Sequence, residues 1–419
     1  MRILWLKTEL LHPVDKGGKI RTYQMLKELK RNHHVTYLTL DDGSADATAR
    51  NLANEYCHEL VCVPHRQREK FTSGFYAELG LNLVSKLPYA IKKYVSPGMK
   101  REIVARMRAH DFDVLVCDFL APAGNVPDQL NCPAILFQHN VEAMIWKRHY
   151  EVQTNPVKKA YLYDQWRKMH AFEQTMCRQF DSVIAVSRED REFMVSHYNA
   201  PNVYDVPTGV DTEFFQASGK EEPVAHSMVF TGSMDWLPNE DAIRYFTEEI
   251  MPRIRKQLPG ATLTVVGRNP YPALLELSQR EPSIVVTGRV DDVRPYMERA
   301  SAYVVPLRIG GGTRLKIYEA MAMGKAIVST SIGAEGLPVH DGVELLLEDD
   351  PDSFAAAAVR VLTDAELASG IGERAATRVR ESFGWDKVAD TFAAICEKAI
   401  SQETVANLAP AKEGTQAAV

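Results

Sequence analysis

Three consecutive glycines stand immediately before a stretch whose residues favour a helix. They are Gly310, Gly311 and Gly312, and Thr313 follows in a position to cap a helix predicted to run to about Met323. The free N–H groups and the dipole of a helix N-terminus form a binding site for an anion. The segment is not a P-loop, because it lacks the Gly-x-x-x-x-Gly-Lys-Ser/Thr pattern. We expect it to bind a phosphate group.

The first turn of that predicted helix carries Arg314 and Lys316, although the helix dipole disfavours positive charge at this end. A bound phosphate would neutralise both side chains and would explain their placement. Glu319 follows further along the helix, where its carboxylate could accept hydrogen bonds from a ribose diol. The alternative is a surface ion pair between Lys316 and Glu319, worth roughly a few tenths of a kcal/mol.

Three predicted strands in the second half of the chain end in glycine, which lets a backbone approach a ligand closely. The segments are Gly232-Ser233, Gly267-Arg268 and Gly288-Arg289. One glycine of this kind would indicate an ordinary strand-to-helix turn. Three in succession, two of them followed by arginine, indicate a ligand-binding edge.

Short β-branched runs alternate with helical segments along the chain, which is typical of parallel sheets covered by helices. The alternation restarts after a polar segment, so the sequence predicts an α/β protein with two doubly wound domains, at 1–206 and 207–382. Such sheets bind ligands beyond the carboxyl ends of their strands, and we expect a crevice between the two domains. Residues 403–419 lack periodicity and are predicted to form a disordered tail.

In the first predicted domain, Gly17 and Gly18 open a helix after a long first loop. A Rossmann dinucleotide-binding domain would place its glycines directly after the first strand, which argues against a dehydrogenase. The loop either lies over a diphosphate or is an ordinary glycine turn. His139 ends a predicted strand. It is either a hydrogen-bonded structural residue or part of a functional site. Asn140 and Glu142 follow it as further polar candidates.

The composition of the 419 residues, 45% hydrophobic and 25% charged, excludes a mainly disordered or fibrous chain. Residues 1–200 carry 28 Lys and Arg against 23 Asp and Glu, and residues 201–419 carry 21 against 32. Neither half is basic enough to favour nucleic-acid binding. Six cysteines without a Cys-x-x-Cys pair predict a reduced, cytoplasmic protein. No metal and no cofactor are expected, because no metal-binding motif follows a predicted strand.

The segment 66–108 carries ten Lys and Arg against three Asp and Glu, interleaved with aromatic residues and leucines. A basic, amphipathic segment predicts peripheral contact with an anionic membrane at its inner face. The alternative is an ordinary helical insertion that covers the core.

The chain resembles the GT-B fold glycosyltransferases of family 4, also called glycosyltransferase group 1. The resemblance is carried by Glu-Ala-Met-Ala-Met-Gly-Lys at 319–325 and by Thr-Gly-Arg-Val-Asp-Asp-Val at 287–293. It implies that Arg289 and Val290 lie in the segment that reads the nucleotide base, and that His139 lies near the donor sugar. It also implies that residues 383–402 form a crossover helix that packs back on the first domain.

The chain departs from this family at two places. Gly311 stands where many relatives have a glutamate that contacts the transferred sugar, and residues 232–239 lack the usual Arg and Lys. Arg314 and Lys316 could supply the missing positive charge. A related loop occurs among bacterial exopolysaccharide sugar transferases.

The resemblance implies a retaining, metal-independent hexosyltransferase that moves a sugar from a UDP- or GDP-linked donor to a hydroxyl of a sugar or lipid-linked sugar. Polysaccharide or glycolipid synthesis is the expected role. Catalysis is expected of His139, Arg314 and Lys316, and Asn140 and Glu142 are candidates for binding acceptor hydroxyls. The donor-binding residues are expected to be Gly17, Gly18, Gly232, Ser233, Arg268, Arg289, Val290, Gly310, Gly311, Gly312, Thr313 and Glu319. A nucleotide-sugar 2-epimerase and a non-catalytic nucleotide-sugar-binding protein are the alternatives.

Overall fold

The computed structural model describes residues 1–14, 17–44, 47–109, 112–309 and 315–408. The chain divides into two compact units, one made of Met1–Pro207 with the described residues after Val388, the other of Thr208–Val388. Each unit contains one parallel β-sheet, of seven strands in the first and six in the second. The prediction of two doubly wound α/β domains is therefore confirmed.

The first unit is built on a sheet whose five inner strands are buried along most of their length, as parallel strands covered on both faces require, whereas its two edge strands are mostly half-buried. The strands are β1 Arg2–Lys7, β2 His34–Asp41, β3 Glu59–Pro64, β4 Val114–Asp118, β5 Ala134–Phe137, β6 Ser182–Ala185 and β7 Val203–Asp205. The helices are α1 Gly17–Asn32, α2 Ala47–Asn51, α3 Ser73–Asn82, α4 Tyr89–Lys92, α5 Pro97–Ala109, α6 Glu142–Val152, α7 Pro156–Gln179 and α8 Arg188–Tyr198. The sheet order is β3-β2-β1-β4-β5-β6-β7.

The second unit repeats this arrangement around a core in which Phe230, Tyr303 and Phe354 are fully buried. Its strands are β8 Val224–Thr231, β9 Thr262–Val266, β10 Ile284–Gly288, β11 Ala300–Val305, β12 Ala326–Ser329 and β13 Leu346–Leu347. Its helices are α9 Leu237–Tyr245, α10 Met251–Gln257, α11 Pro272–Arg280, α12 Arg294–Arg299, α13 Leu315–Ala322, α14 Pro351–Thr363 and α15 Ala365–Ser382. The sheet order is β10-β9-β8-β11-β12-β13.

The two sheets share the feature that locates ligand sites in open α/β folds. The strand order reverses between β1 and β4 in the first sheet and between β8 and β11 in the second. Ligands of such sheets bind beyond the carboxyl ends of the strands at this reversal. The ends of these four strands are therefore where functional side chains are expected.

The last helix, α16, spans Trp385–Leu408. It continues past residue 402, where the sequence predicted a disordered tail, and this last part includes the helix-favouring residues Glu403, Ala406 and Leu408. After Val388 the helix belongs to the first unit, and the ring of Phe392 lies 5.5 Å from Trp5 and 5.1 Å from Phe137. Residues 409–419 lie outside the described part of the chain.

The basic segment 66–108 folds as three separate helices. It contains α3, α4 and α5, and α5 buries Met99, Ile103 and Met107 against the core of the first unit. α5 thus covers the core, as the alternative interpretation expected, and membrane contact of the segment stays a prediction. In the part of the chain that the structure describes, no helix is both long and apolar enough to cross a membrane.

Candidate functional site

The carboxyl ends of β1, β4 and β5 bring three polar side chains of the first unit together, and Thr22 of α1 joins them. Lys7 and Asp118 are the last residues of neighbouring strands, and His139 follows β5. The Oδ2 atom of Asp118 accepts hydrogen bonds from Lys7 Nζ at 2.8 Å and from Thr22 Oγ1 at 2.7 Å. Its Oδ1 atom lies 2.8 Å from His139 Nε2. A third donor to Oδ2 is the indole Nε1 of Trp5, at 3.0 Å.

Burial and charge determine the protonation of this cluster, in which Asp118 is 0% and His139 4% exposed. Burial raises the pKa of Asp118, but the charge of Lys7 and the hydrogen-bonded His139 bring it below its usual value. Burial lowers the pKa of His139 to about 3, against the opposing effect of Asp118. The imidazole is therefore neutral near pH 7, and its Nε2–H donates a hydrogen bond to the carboxylate. The Nδ1 atom is left as a hydrogen-bond acceptor.

The ring of Phe119 covers one face of this imidazole, with the two ring centroids 3.7 Å apart. The ammonium of Lys7 lies 4.2 Å from the same aromatic ring. Phe119 has a φ of 72°, a left-handed conformation that is rare for an aromatic residue and typical of functional sites. A Cβ atom added to Gly18 would lie 2.8 Å from the Phe119 ring. This glycine therefore has a packing role, whatever it contributes to a ligand.

The carboxylate of Glu173 fixes the segment that carries Asn140 and Glu142. Its Oε1 atom accepts hydrogen bonds from the backbone N–H of Glu142 at 2.8 Å, and its Oε2 atom accepts from Ala143 N–H at 2.9 Å. Tyr198 donates its hydroxyl to Oε2 at 2.8 Å. Glu173 is fully buried and caps the N-terminus of α6 from a neighbouring helix.

Two carboxyl groups at this position have perturbed acidity. Burial raises the pKa of Glu142 to about 7. Burial also raises the pKa of Glu173 to about 7, although its hydrogen bonds from backbone N–H groups and Tyr198 oppose the change. Glu142 is half-buried and Asn140 is half-buried beside it, so both remain candidates for contact with a ligand.

The carboxyl end of β8 is the corresponding place in the second unit. Lys316 Nζ donates to Asn239 Oδ1 at 2.8 Å, and Asn239 Nδ2 donates to the backbone oxygen of Ser233 at 2.8 Å. A Cβ added to Gly232 would lie 2.9 Å from Lys316 Nζ and 2.7 Å from Asn239 Nδ2. Phe230, which lies in β8, holds the ammonium 4.1 Å above its ring. The structure thus gathers Gly232, Ser233 and Lys316, which sequence reasoning proposed separately.

Arg268 lies at the end of β9 and donates from Nε to Ser233 Oγ at 2.8 Å. Its guanidinium is exposed. The neighbouring Gly267 is explained by the fold, because a Cβ there would overlap the backbone oxygen of Gly232 at 1.8 Å. Gly267 therefore has a packing role, and close approach of a ligand to it stays a prediction.

Arg289 and Val290 follow β10, which is the edge strand of the second sheet and is separated from β8 by β9. Arg289 is exposed, whereas Val290 is half-buried and packs on the core of this unit. The topology leaves them two strands from Gly232, and their role in reading a base stays a prediction.

Glu319 lies one helical turn beyond Lys316 on α13 and is half-buried. Burial raises the pKa of its carboxyl group to about 7, and the positive charge of Lys316 opposes this change. The predicted phosphate loop cannot be placed beside it, because five of its residues lie outside the described part of the chain. They are Gly310, Gly311, Gly312, Thr313 and Arg314.

Sequence reasoning missed Lys7, Thr22, Asp118, Glu173 and Asn239. The detectable signal was a charged residue at the end of an apolar strand, which Lys7 and Asp118 both show. Glu173 and Thr22 lie inside helices, where nothing in their local sequence distinguishes them. Within the described ranges, no group of three or more His, Cys, Asp or Glu side chains is placed to hold a metal ion.

Residues 16–214 match the family described as Glycosyltransferase Family 4, and residues 225–364 match the family described as Glycosyl transferases group 1. The chain belongs to the family 4, group 1 glycosyltransferases. A Klebsiella pneumoniae protein described as an uncharacterized 44.6 kDa protein in the cps region is 20% identical over 404 residues, which cover 92% of this chain and 97% of that one.

The phosphatidyl-myo-inositol mannosyltransferase of Mycolicibacterium smegmatis is 28% identical to this glycosyltransferase over 217 residues. The match covers 49% of this chain and 54% of the mannosyltransferase, so it spans about half of each protein.

Solved structures resemble the whole glycosyltransferase. The sucrose-phosphate synthase of Thermosynechococcus elongatus has a TM-score of 0.65 at 16% identity, covering 96% of this chain and 99% of that one. Anabaena HepE, solved in complex with UDP, has a TM-score of 0.63 at 15% identity, covering 97% of this chain and 100% of that one. At these identities the likeness shows the fold, which is GT-B, as the sequence predicted.

Proposed function

We propose that this glycosyltransferase moves a sugar from a nucleotide-diphosphate sugar to a hydroxyl acceptor and retains the anomeric configuration. The observation that carries the donor assignment is the cluster of Lys316, Asn239 and Gly232 at the end of β8, with Glu319 one turn along α13. The cluster combines a fixed positive charge with a glycine that has no side chain to block the approach of a nucleotide. The carboxyl group of Glu319 could accept hydrogen bonds from the ribose diol. The UDP complex of HepE supports a nucleotide donor, either UDP- or GDP-linked.

Departure of a nucleoside diphosphate builds negative charge on the β-phosphate and positive charge on the sugar. In the proposed reaction the Lys316 ammonium stabilises the leaving phosphate, together with Arg314. Such preorganised charge is worth more than charge in water, because its orientation is already fixed by Asn239 and Phe230. The phosphate would then take the proton of the acceptor hydroxyl on the same face of the sugar.

The first unit is proposed to contact the sugars. The unprotonated Nδ1 of His139 is suited to accept a hydrogen bond from a hydroxyl of the donor sugar. Asn140 and Glu142 are proposed to bind acceptor hydroxyls, since Glu173 holds their segment in place. The cps-region relative and the mannosyltransferase of a phosphatidylinositol support an acceptor in polysaccharide or glycolipid synthesis.

The test begins with thermal shifts of the purified protein in UDP-, GDP- and ADP-sugars, followed by transfer assays with the stabilising donor. The anomeric configuration of the product is read by NMR, and the assay is repeated with EDTA to test metal independence. An inverted product would contradict the retaining mechanism. A 2-epimerised sugar formed without acceptor would favour the epimerase, and stabilisation without any turnover would favour a non-catalytic binding protein.

A further inference from the structure

Five large apolar side chains are exposed within a short stretch of the first unit. They are Phe71 at 80%, Tyr76 at 57%, Leu81 at 67%, Leu83 at 52% and Val84 at 88% exposure. Single exposed apolar residues are ordinary on protein surfaces, but a cluster of them marks a surface that contacts something apolar. We name these five side chains the 71–84 surface.

The turn that presents Leu81, Leu83 and Val84 is held in place by buried hydrogen bonds. Asn82 is fully buried between them, and its Oδ1 accepts a hydrogen bond from Gln165 Nε2 of α7 at 2.9 Å. Its Nδ2 donates to the backbone oxygen of Leu87 at 3.0 Å, which closes the turn.

A second anchor from α7 holds the same turn. Lys168 Nζ donates to the backbone oxygens of Asn82 and Leu83, at 2.9 Å and 3.0 Å. These bonds satisfy the carbonyl groups at the end of α3. The same ammonium group of Lys168 forms an ion pair with Asp164. The outward orientation of Leu81, Leu83 and Val84 is therefore a built feature of the fold.

Charge decides between the candidate occupants of this surface. Residues 66–93 contain six basic side chains, Arg66, Arg68, Lys70, Lys86, Lys92 and Lys93, and two acidic ones, Glu69 and Glu78. A second copy of the chain would bring the same positive surface and would be repelled. Anionic lipids attract clustered Lys and Arg, while aromatic and aliphatic side chains enter the boundary between headgroups and acyl chains. We propose that the 71–84 surface docks the protein on an anionic lipid bilayer.

The test is flotation of the full chain with vesicles of phosphatidylcholine alone or mixed with phosphatidylglycerol. The wild-type protein is expected to float with the mixed vesicles only, and to be released by added salt. Leu83→Ser combined with Val84→Ser should weaken this binding by about tenfold or more, because two apolar side chains no longer enter the bilayer. Lys86→Glu should also weaken it.

The matched control is Leu237→Ser with Val285→Ser, which changes two exposed apolar residues of the second unit and should leave flotation unchanged. Circular dichroism and melting temperature establish that both double variants fold. Equal flotation of the 83/84 variant and wild type would overturn the proposal. So would equal binding to both vesicle types, or a vesicle-free dimer that the 83/84 substitutions dissolve.

Discussion

Asp118→Asn changes the charge of the first-unit cluster while keeping the shape of the side chain. The asparagine oxygen is expected to face the three donors now bound to Oδ2, since Lys7, Thr22 and Trp5 all require an acceptor. The new NH₂ group then points at His139 Nε2. This nitrogen can accept a hydrogen bond from the NH₂ group only if it no longer carries a proton itself. The proton moves to Nδ1, so the free nitrogen of His139 changes from an acceptor into a donor.

The magnitude of this change has two parts. Breaking a buried ion pair by removing one partner costs about 3–5 kcal/mol, because the charge of Lys7 is left uncompensated. For a unit of about this size that corresponds to a fall in melting temperature of roughly 6–20 °C. The wrong tautomer also leaves a sugar hydroxyl without its acceptor, which costs about 1–3 kcal/mol. The expected loss in kcat/KM is therefore about 5- to 160-fold.

Melting temperature and kcat/KM for the donor are measured at pH 7 for four proteins: wild type, Asp118→Asn, Lys7→Met and the double variant. The double variant removes both charges and is expected to regain most of the lost stability. It should not regain activity, because the asparagine still forces the same tautomer of His139. Stability and positioning are thereby separated.

This reasoning would be refuted if Asp118→Asn melted within about 2 °C of wild type, a change of under about 1 kcal/mol. A kcat/KM within about twofold of wild type, below the cost of a lost hydrogen bond, would refute the role of the tautomer. Recovery of both properties in the double variant would mean that the activity loss was only a loss of folded protein.

Three further predictions concern the other polar residues. Lys316→Ala should lower kcat by roughly 10²–10³-fold. The control substitution Lys256→Ala, at an exposed lysine of the same unit, should leave kcat unchanged. Equal turnover of the two variants would contradict the role of the Lys316 ammonium. Glu319→Gln should weaken UDP or GDP binding in calorimetry and yet raise the melting temperature above pH 7. The pKa of this carboxyl is raised from 4.5 to about 7, so ionising it costs stability as the pH rises through that window, by about 3 kcal/mol at most. A variant that melts like wild type at pH 8 would contradict this sign. Glu173→Ala should lower the melting temperature, because each buried donor that loses this carboxylate as its acceptor costs about 1–3 kcal/mol. An unchanged melting temperature would show that water replaces the carboxylate.

Local sequence was sufficient for the parts of the fold that depend on neighbouring residues. The buried strands are short apolar runs, and their alternation with helices requires parallel sheets. The one-turn separation of Lys316 and Glu319 on a helix also follows from the sequence alone. The length of α16 was missed, because its later residues lack periodicity although they favour a helix.

The composition of the site depended on tertiary structure, because its members are distant in sequence. Asp118 meets Lys7 and Thr22 only because the strand order reverses between β1 and β4, which puts the two strand ends side by side. Glu173 reaches the start of α6 only through the packing of α7 against it. Gly267 likewise has its reason in a neighbouring strand, where the backbone oxygen of Gly232 leaves no room for a Cβ. Periodicity and propensity describe a residue's neighbours along the chain, whereas buried charges and close backbone contacts are determined by neighbours across it.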